Sequence, residues 1–200
     1  PNNWFSTHSG GHVAIYPMYS ENRQRERRGD VIEMLKSEYR VQDVIDYSGL
    51  EKDKVFLEGT GAMVLDHVAR VAYAVRSNRA NDVALERFCT HFNFEPMIFD
   101  AFDHNGKPIY HTNVLMCIGT DFVLLGAQSI PDAGRRQEIV ARLEETGRQV
   151  VELSTEQIAN FAGNAIELKG RNGRILALSA RAHAALQLEQ ISAIEQSVQL

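Results

Sequence analysis

The chain has 200 residues, of which 44% are hydrophobic and 24% are charged, a composition typical of one packed globular domain. Its 21 lysines and arginines stand against 26 aspartates and glutamates, and the net charge of −5 argues against nucleic acid or an anionic membrane as a partner. No apolar run approaches the roughly 20 residues that span a bilayer, which also argues against a membrane protein.

One pattern recurs four times along the chain: an apolar strand, a polar or glycine-rich turn, a returning apolar strand, an amphipathic helix and a short linking strand. The predicted strand pairs lie at 3–8 and 13–18, 58–65 and 71–75, 111–118 and 122–127, and 163–168 and 175–178. The predicted helices lie at 22–39, 81–92, 131–147 and 180–196. Strands that alternate with helices favour one α/β domain, residues 1–200, built of ββαβ units near 1–47, 48–103, 104–155 and 156–200.

The first strand of each unit opens with a polar residue. These residues are Asn3, Glu58, His111 and Asn164, at intervals of 55, 53 and 53 residues. Unrelated polar residues are not expected to share one structural position at such even spacing. In a closed ring of ββαβ units these positions face the central axis. The sequence therefore predicts an amide, a carboxylate, an imidazole and a second amide around one cavity.

Glu58 follows two apolar residues and precedes Gly59 and Gly61, so its side chain is predicted to turn inward. Glycine lets a ligand approach the backbone closely. A buried carboxylate needs a cationic or hydrogen-bonding partner, because an unpaired buried charge is costly. A planar guanidinium or ureido group offers matched N–H donors. The alternative interpretation is a turn glutamate with a structural role.

His111 and Asn113 are predicted to share one face of a strand, where Asn113 would orient the imidazole or bind substrate. A positioned histidine is a common general acid and base. A lone histidine in a strand is more often a core residue, but the register that His111 shares with Glu58 favours a catalytic role.

The candidate substrate-binding residues are amides near the hairpins and a polar pair after the second hairpin. The amides either bind substrate or cap the loop backbone. Ser77 and Arg79 would clamp a substrate carboxylate, whereas the alternative is that Ser77 caps the following helix and Arg79 lies at the surface. The residues in this group are Asn2, Asn3, Trp4, Ser77, Arg79 and Asn164.

Neither cysteine is a credible nucleophile beside His111. Cys117 lies six residues after His111, roughly 20 Å along an extended strand, and Cys89 falls on the apolar face of a predicted helix. The cysteines and histidines show no metal-ligand spacing, so the sequence predicts no metal and no cofactor. Two unrelated cysteines suit a reducing, cytoplasmic compartment.

Six segments in order closely resemble the citrulline-utilisation hydrolase family, which is grouped with the arginine deiminases, dimethylarginine dimethylaminohydrolases and amidinotransferases. The resemblance runs from Pro1 to about Ser197. The segments are residues 2–8, 16–18, 22–23 with 26–28, 58–61, 110–114 and 161–164.

The resemblance implies a pentein fold, a five-unit β/α propeller, and hydrolysis of an amidine or ureido amino acid through a cysteine thiouronium intermediate. It makes Glu58 the carboxylate that grips the substrate nitrogens and His111 the acid and base. Asn113 stands where arginine deiminases have aspartate, and Asn2 and Asn3 stand where they have an Arg-Asp pair. Since amides both donate and accept hydrogen bonds, these differences favour a neutral citrulline-like substrate over arginine.

The family's cysteine follows a glycine-rich segment near the C-terminus, and this sequence lacks it. The resemblance therefore implies a fragment with four of the five units and without hydrolase activity of its own. Exposed edges on its first and fourth units favour association, including homo-oligomers. Two alternatives are an amidinotransferase and a non-catalytic pentein-fold binding module. The presence of both Glu58 and His111 favours catalytic ancestry.

Overall fold

The computed structural model describes residues 3–200, which form a mixed α/β structure with four small sheets. The strands are β1 (Phe5–His8), β2 (His12–Ile15), β3 (Asp43–Asp46), β4 (Met63–Asp66), β5 (Val71–Val75), β6 (Glu95–Phe99), β7 (Met116–Ile118), β8 (Phe122–Leu125), β9 (Gln149–Glu152), β10 (Ile166–Gly170) and β11 (Gly173–Ala177). The helices are α1 (Glu21–Gln24), α2 (Gly29–Glu38), α3 (Gly59–Ala62), α4 (Asp82–Phe92), α5 (Ala133–Glu144), α6 (Thr155–Ala159), α7 (Ala180–Ala185) and α8 (Leu188–Glu195).

Three of the sheets share one topology. Sheet 1 contains β1, β2 and β3, sheet 2 contains β4, β5 and β6, and sheet 3 contains β7, β8 and β9. In each, the first two strands pair antiparallel and the third pairs parallel to the second, after an intervening helix. Strands β10 and β11 form an antiparallel hairpin, and Gln199 makes a parallel bridge to Ile175 of β11, where the other sheets have a third strand.

Local signals in the sequence explain where several elements begin. The Asn81 side chain accepts a hydrogen bond from the Val83 amide at the start of α4, and Asp132 does the same for the Arg135 amide in α5. The turn between β1 and β2 contains Gly10 and Gly11, both at positive φ. These caps and glycines lie where the sequence predicted a helix start or a turn.

Two predicted helices are in fact broken. The helix predicted over 22–39 is wrong, because the chain leaves the helix after α1 and the Arg27 guanidinium binds the Glu51 carboxylate, with Nη2 2.8 Å from Oε2. The continuous helix predicted over 180–196 is also wrong, since Leu186 is extended and Gln187 caps a separate helix, α8. Within residues 3–200, no helix has the length and apolar character needed to cross a bilayer.

The core consists of two clusters that meet at β5, all of whose residues are buried. The larger cluster packs sheets 2 and 3 with the C-terminal helices and includes Leu124 and Ile194. The smaller cluster packs sheet 1 with α4 and includes Trp4 and Phe88. The β5 residues in the larger cluster are Val71, Tyr73 and Val75, and those in the smaller cluster are Ala72 and Ala74.

A buried ion pair joins sheets 2 and 3. Asp66, at the end of β4, binds Arg148, which precedes β9, with Oδ2 2.7 Å from Nη1 and Oδ1 3.2 Å from Nη2. Arg148 Nε also donates to the Gly119 carbonyl (2.9 Å), and Asp66 accepts the amides of Val68 and Ala69. Since almost every charged atom has a partner, the pair can remain in the interior.

Candidate functional site

The side chains of Glu58 and His111 meet in the interior of the molecule. His111 Nε2 lies 2.8 Å from Glu58 Oε2, with Glu58 fully buried and His111 6% exposed. Glu58 precedes the single-turn helix α3, and His111 precedes a 3₁₀ turn, Thr112–Val114. The repeat predicted that each residue opens a hairpin, and neither does so directly. It also predicted that the two side chains lie together, and they are in contact.

Two further donors hold the Glu58 carboxylate. Arg79 Nη1 donates to Oε2 (3.0 Å), and the Tyr19 amide donates to Oε1 (3.0 Å). Burial by itself raises the pKa of Glu58. The hydrogen bonds with His111, Arg79 and the Tyr19 amide outweigh burial, so the pKa lies below its ordinary value. Glu58 is therefore a carboxylate at neutral pH.

The charge of Glu58 determines which His111 nitrogen carries a proton. An ionised carboxylate only accepts hydrogen bonds, so Nε2 of His111 must be the donor. In the neutral imidazole, Nδ1 is then the nitrogen that is free to accept a proton.

The prediction that His111 and Asn113 share one face of a strand is wrong. Residues 112–114 form the 3₁₀ turn, in which the buried Thr112 hydroxyl binds backbone groups of two other segments. Asn113 instead lines a cleft together with Asn164. The lining of this cleft does not include Glu58 or His111, so the prediction that all these side chains surround one cavity is wrong.

This cleft has a volume of about 710 Å³ and lies between α3, sheet 3 and the β10–β11 hairpin. Gly59 and Thr60, which follow Glu58 directly, line one side, and Asn113 and Asn164 contribute amides. Glu167 adds a carboxylate, which binds the Thr120 hydroxyl and amide. The volume falls in the range of small-molecule sites.

The segment before β1 contributes less than the sequence predicted. Asn3 is buried, and its Oδ1 accepts a hydrogen bond from Thr60 Oγ1 (3.4 Å), so it lies beside α3. Trp4 is only 4% exposed and packs in the smaller core cluster, which leaves its ring almost no surface for a substrate. Asn2 lies outside the described residues.

Ser77 and Arg79 form part of the site by a different route from the one predicted. Ser77 Oγ donates to the Tyr110 carbonyl (2.8 Å) and accepts the Arg79 amide (3.1 Å). The alternative in which Ser77 caps α4 is wrong, since Asn81 caps that helix. The Arg79 guanidinium is 25% exposed and binds Glu58 instead of lying at the surface. It is therefore positioned between the buried carboxylate and solvent.

Sequence reasoning missed the contributions of Tyr19 and Thr112. For Thr112, the signal in the sequence was its position next to His111. Nothing in the sequence marks Tyr19, because its contribution is a backbone amide.

The two thiols lie in settings that suppress ionisation. Burial raises the pKa of Cys89 and of Cys117 to about 12. Neither residue is a thiolate near neutral pH, so neither is suited to act as a nucleophile.

Gly61 leaves no room for a side chain beside the pair. A Cβ there would lie 2.5 Å from Asn3 Nδ2 and 2.9 Å from His111 Nδ1. Gly61→Ala is therefore expected to displace His111 and to lower the free energy of unfolding by about 1 to 3 kcal/mol. Urea denaturation tests this, with Gly49→Ala as control, because Gly49 has nothing within 4 Å of its Cβ position. Equal free energies of unfolding for the two variants would contradict the prediction that Gly61 has no room for a side chain.

Comparison with solved structures shows which proteins share this fold. The N-terminal domain of ArgZ bound to product, an arginine dihydrolase from the ornithine-ammonia cycle in cyanobacteria, matches with a TM-score of 0.68 at 18% identity over 98% of this chain and 64% of that chain. AgrE in its ternary complex with ornithine and NAD+ matches with a TM-score of 0.69 at 18% identity over 98% of this chain and 26% of that one. A dimethylarginine dimethylaminohydrolase adduct with S-methyl-L-thiocitrulline matches with a TM-score of 0.59 at 11% identity over 99% of this chain and 67% of that one.

These likenesses show a shared pentein-type α/β fold. The chain spans 27% of the longer ArgZ structure and 64% of the ArgZ N-terminal domain bound to product. A search of curated proteins found no match to the sequence. The family model described as N,N dimethylarginine dimethylhydrolase, eukaryotic, matches residues 1–200, and the chain therefore belongs to that family.

Proposed function

We propose that this chain supplies the carboxylate and the imidazole of a cysteine-dependent hydrolase that cleaves C–N bonds in arginine- or citrulline-like amino acids. One observation carries the proposal. The buried Glu58 carboxylate holds the His111 imidazole at 2.8 Å and a guanidinium group, that of Arg79, at 3.0 Å. A carboxylate that accepts N–H groups in this setting is suited to accept those of a substrate guanidinium or ureido group.

In this proposal Glu58 grips the substrate nitrogens and a thiolate adds to the central carbon of the amidine or ureido group. His111 starts with a proton on both ring nitrogens and gives the Nδ1 proton to the leaving amine. The neutral imidazole then takes a proton from the attacking water, and cleavage of the carbon–sulfur bond releases the thiolate. The pKa of about 12 for Cys89 and Cys117 makes both unsuited to the thiolate role. We therefore assign the nucleophile to a segment outside this sequence and expect the 200-residue chain alone to be inactive.

The recurring strand order supports a propeller built from ββαβ units near 1–47, 48–103, 104–155 and 156–200, with the cleft near its axis. The amides of Asn113 and Asn164 line that cleft, and Asn3 lies beside it. Because amides both donate and accept, this lining favours a neutral ureido substrate over arginine.

Ligand binding to the chain tests the proposal without catalysis. L-arginine and L-citrulline are titrated while NMR follows the His111 ring signals, with tighter binding expected for citrulline. Glu58→Gln is expected to weaken arginine binding roughly tenfold to a hundredfold, because hydrogen bonds to a charged group contribute about 1.5–3 kcal/mol.

Glu51→Gln is the matched control. The Glu51 carboxylate also binds an arginine, Arg27, and a backbone amide, that of Met18, but it has no histidine partner. Its replacement is expected to leave binding unchanged. The proposal fails if neither amino acid shifts the His111 signals, or if both variants weaken binding equally.

A further inference from the structure

Thr112 directly follows His111, is fully buried, and joins two other segments through its hydroxyl. Thr112 Oγ1 donates to the Ala62 carbonyl (2.5 Å) and accepts a hydrogen bond from the Val75 amide (2.8 Å). Ala62, Val75 and Thr112 are all fully buried. An unpaired Ala62 carbonyl or Val75 amide would therefore be costly. One hydroxyl therefore satisfies two buried backbone groups.

Each segment that meets at this hydroxyl leads to a residue of the site. Ala62 ends α3, the helical turn that begins after Glu58. Val75 ends β5, and the loop that follows it carries Arg79. Thr112 itself adjoins the histidine. The hydroxyl thus lies where the segments that carry the carboxylate, the guanidinium and the imidazole come together.

We propose that Thr112 is a positioning residue, whose hydroxyl sets the position of His111 relative to Glu58. The 3₁₀ turn makes two further backbone bonds, from the Val114 amide to the His111 carbonyl (3.2 Å) and from the Leu115 amide to the Thr112 carbonyl (3.0 Å). Both lie within the turn, so they set its shape without fixing where it lies. The side-chain bonds of Thr112 tie the turn to α3 and to β5. The bond from Ser77 Oγ to the Tyr110 carbonyl ties the residue before His111 to the loop that carries Arg79.

The physical reason is the narrow range of a hydrogen bond. A displacement of the turn by about 1 Å is enough to break a bond with a heavy-atom distance of 2.8 Å, because such bonds weaken rapidly beyond about 3.2 Å. The relevance of Thr112 to catalysis rests on the proposed function. Its effect on the contact between the two side chains does not, so the two ideas can fail separately.

The experiment measures the proton that His111 Nε2 shares with Glu58, in the full 200-residue chain. In a buried bond to a carboxylate this proton is expected to give a slowly exchanging, downfield NMR signal. Thr112→Val keeps the shape of the side chain but removes the hydroxyl, and it is expected to abolish the signal. Thr112→Ser keeps the hydroxyl and is expected to retain it.

Val151→Ala provides the control for general loss of stability. Val151 lies in β9 and is buried in the larger core cluster, and the hydrogen-bond partners of the Thr112 hydroxyl are Ala62 and Val75. This variant is expected to be less stable than the original chain and to keep the signal. Survival of the signal in Thr112→Val would overturn the proposal. If Thr112→Val does not fold, loss of the NMR signal from a folded Thr112→Ser variant would also overturn the proposal.

Discussion

Replacement of Arg148 with alanine is expected to lower the free energy of unfolding by about 3 to 5 kcal/mol. The Asp66 carboxylate is fully buried and would lose its cationic partner, keeping only the amides of Val68 and Ala69. The Gly119 carbonyl would also lose the donor that Arg148 Nε provides. Since the pair joins sheets 2 and 3, the loss should appear in the global transition, which urea denaturation followed by circular dichroism measures.

Arg174→Ala is the matched control for this prediction. Arg174 forms an ion pair with Asp121, but the two side chains are 34% and 54% exposed. Solvent screens such a pair, so its removal is expected to cost less than about 1 kcal/mol. A similar cost for both arginine variants would mean that the buried pair contributes no more than a surface contact.

Acid is expected to destabilise the protein through His8, well above the pH at which carboxylates titrate. His8 Nε2 lies 2.7 Å from Ser6 Oγ, and its ring lies against Phe92. Burial, together with the nearby His67, Arg70 and His12, lowers the pKa of His8 to about 4. The unfolded chain, with an ordinary histidine pKa of 6.5, therefore binds a proton that the folded chain excludes between pH 6.5 and pH 4.

The sign of this effect is that stability is present above about pH 6.5 and is lost as the pH falls toward 4. From pH 7.5 to pH 5, His8 is expected to account for about 1 to 2 kcal/mol of lost stability, after allowance for partial exposure of the ring. Urea denaturation at the two pH values measures it. The glutamine in His8→Gln cannot take up a proton. Between pH 7.5 and pH 5 this variant should therefore lose about 1 to 2 kcal/mol less stability than the original chain. An identical pH dependence in His8→Gln would assign the effect to other groups.

The elements that the sequence predicted well depend on local signals. Asn81 and Asp132 begin α4 and α5 through bonds to amides within their own first turns. The hairpins follow from alternating apolar runs and from glycines such as Gly10. Such signals lie within a few neighbouring residues, so no knowledge of the tertiary structure is needed to read them.

The elements that were predicted wrongly depend on distant contacts. The chain leaves the helix after α1 where Arg27 reaches Glu51, 24 positions further along. The strand predicted over 111–118 begins instead with a 3₁₀ turn, in which Thr112 binds backbone groups 50 and 37 positions earlier, and only Met116–Ile118 forms a strand. Neither partner can be identified from a window of sequence around the element.

The candidate site shows the same division. The even spacing of the repeat was sufficient to predict that Glu58 and His111 lie together, because the two residues occupy equivalent positions in a recurring topology. The repeat could not show that Arg79 binds Glu58, because the two lie in the same copy of the repeat. Trp4 was predicted to bind substrate from its neighbours in sequence, whereas its burial follows from the packing of sheet 1 on α4.

The two-sided burial of β5 has a consequence for how the molecule opens. Its alternate residues belong to different clusters, so neither cluster can separate without exposing one face of this strand to water. Sheet 1 and sheet 3 therefore cannot melt as independent subdomains at small cost. We therefore expect the backbone amides of β5 to exchange with solvent mainly when both clusters separate together, that is, in cooperative unfolding.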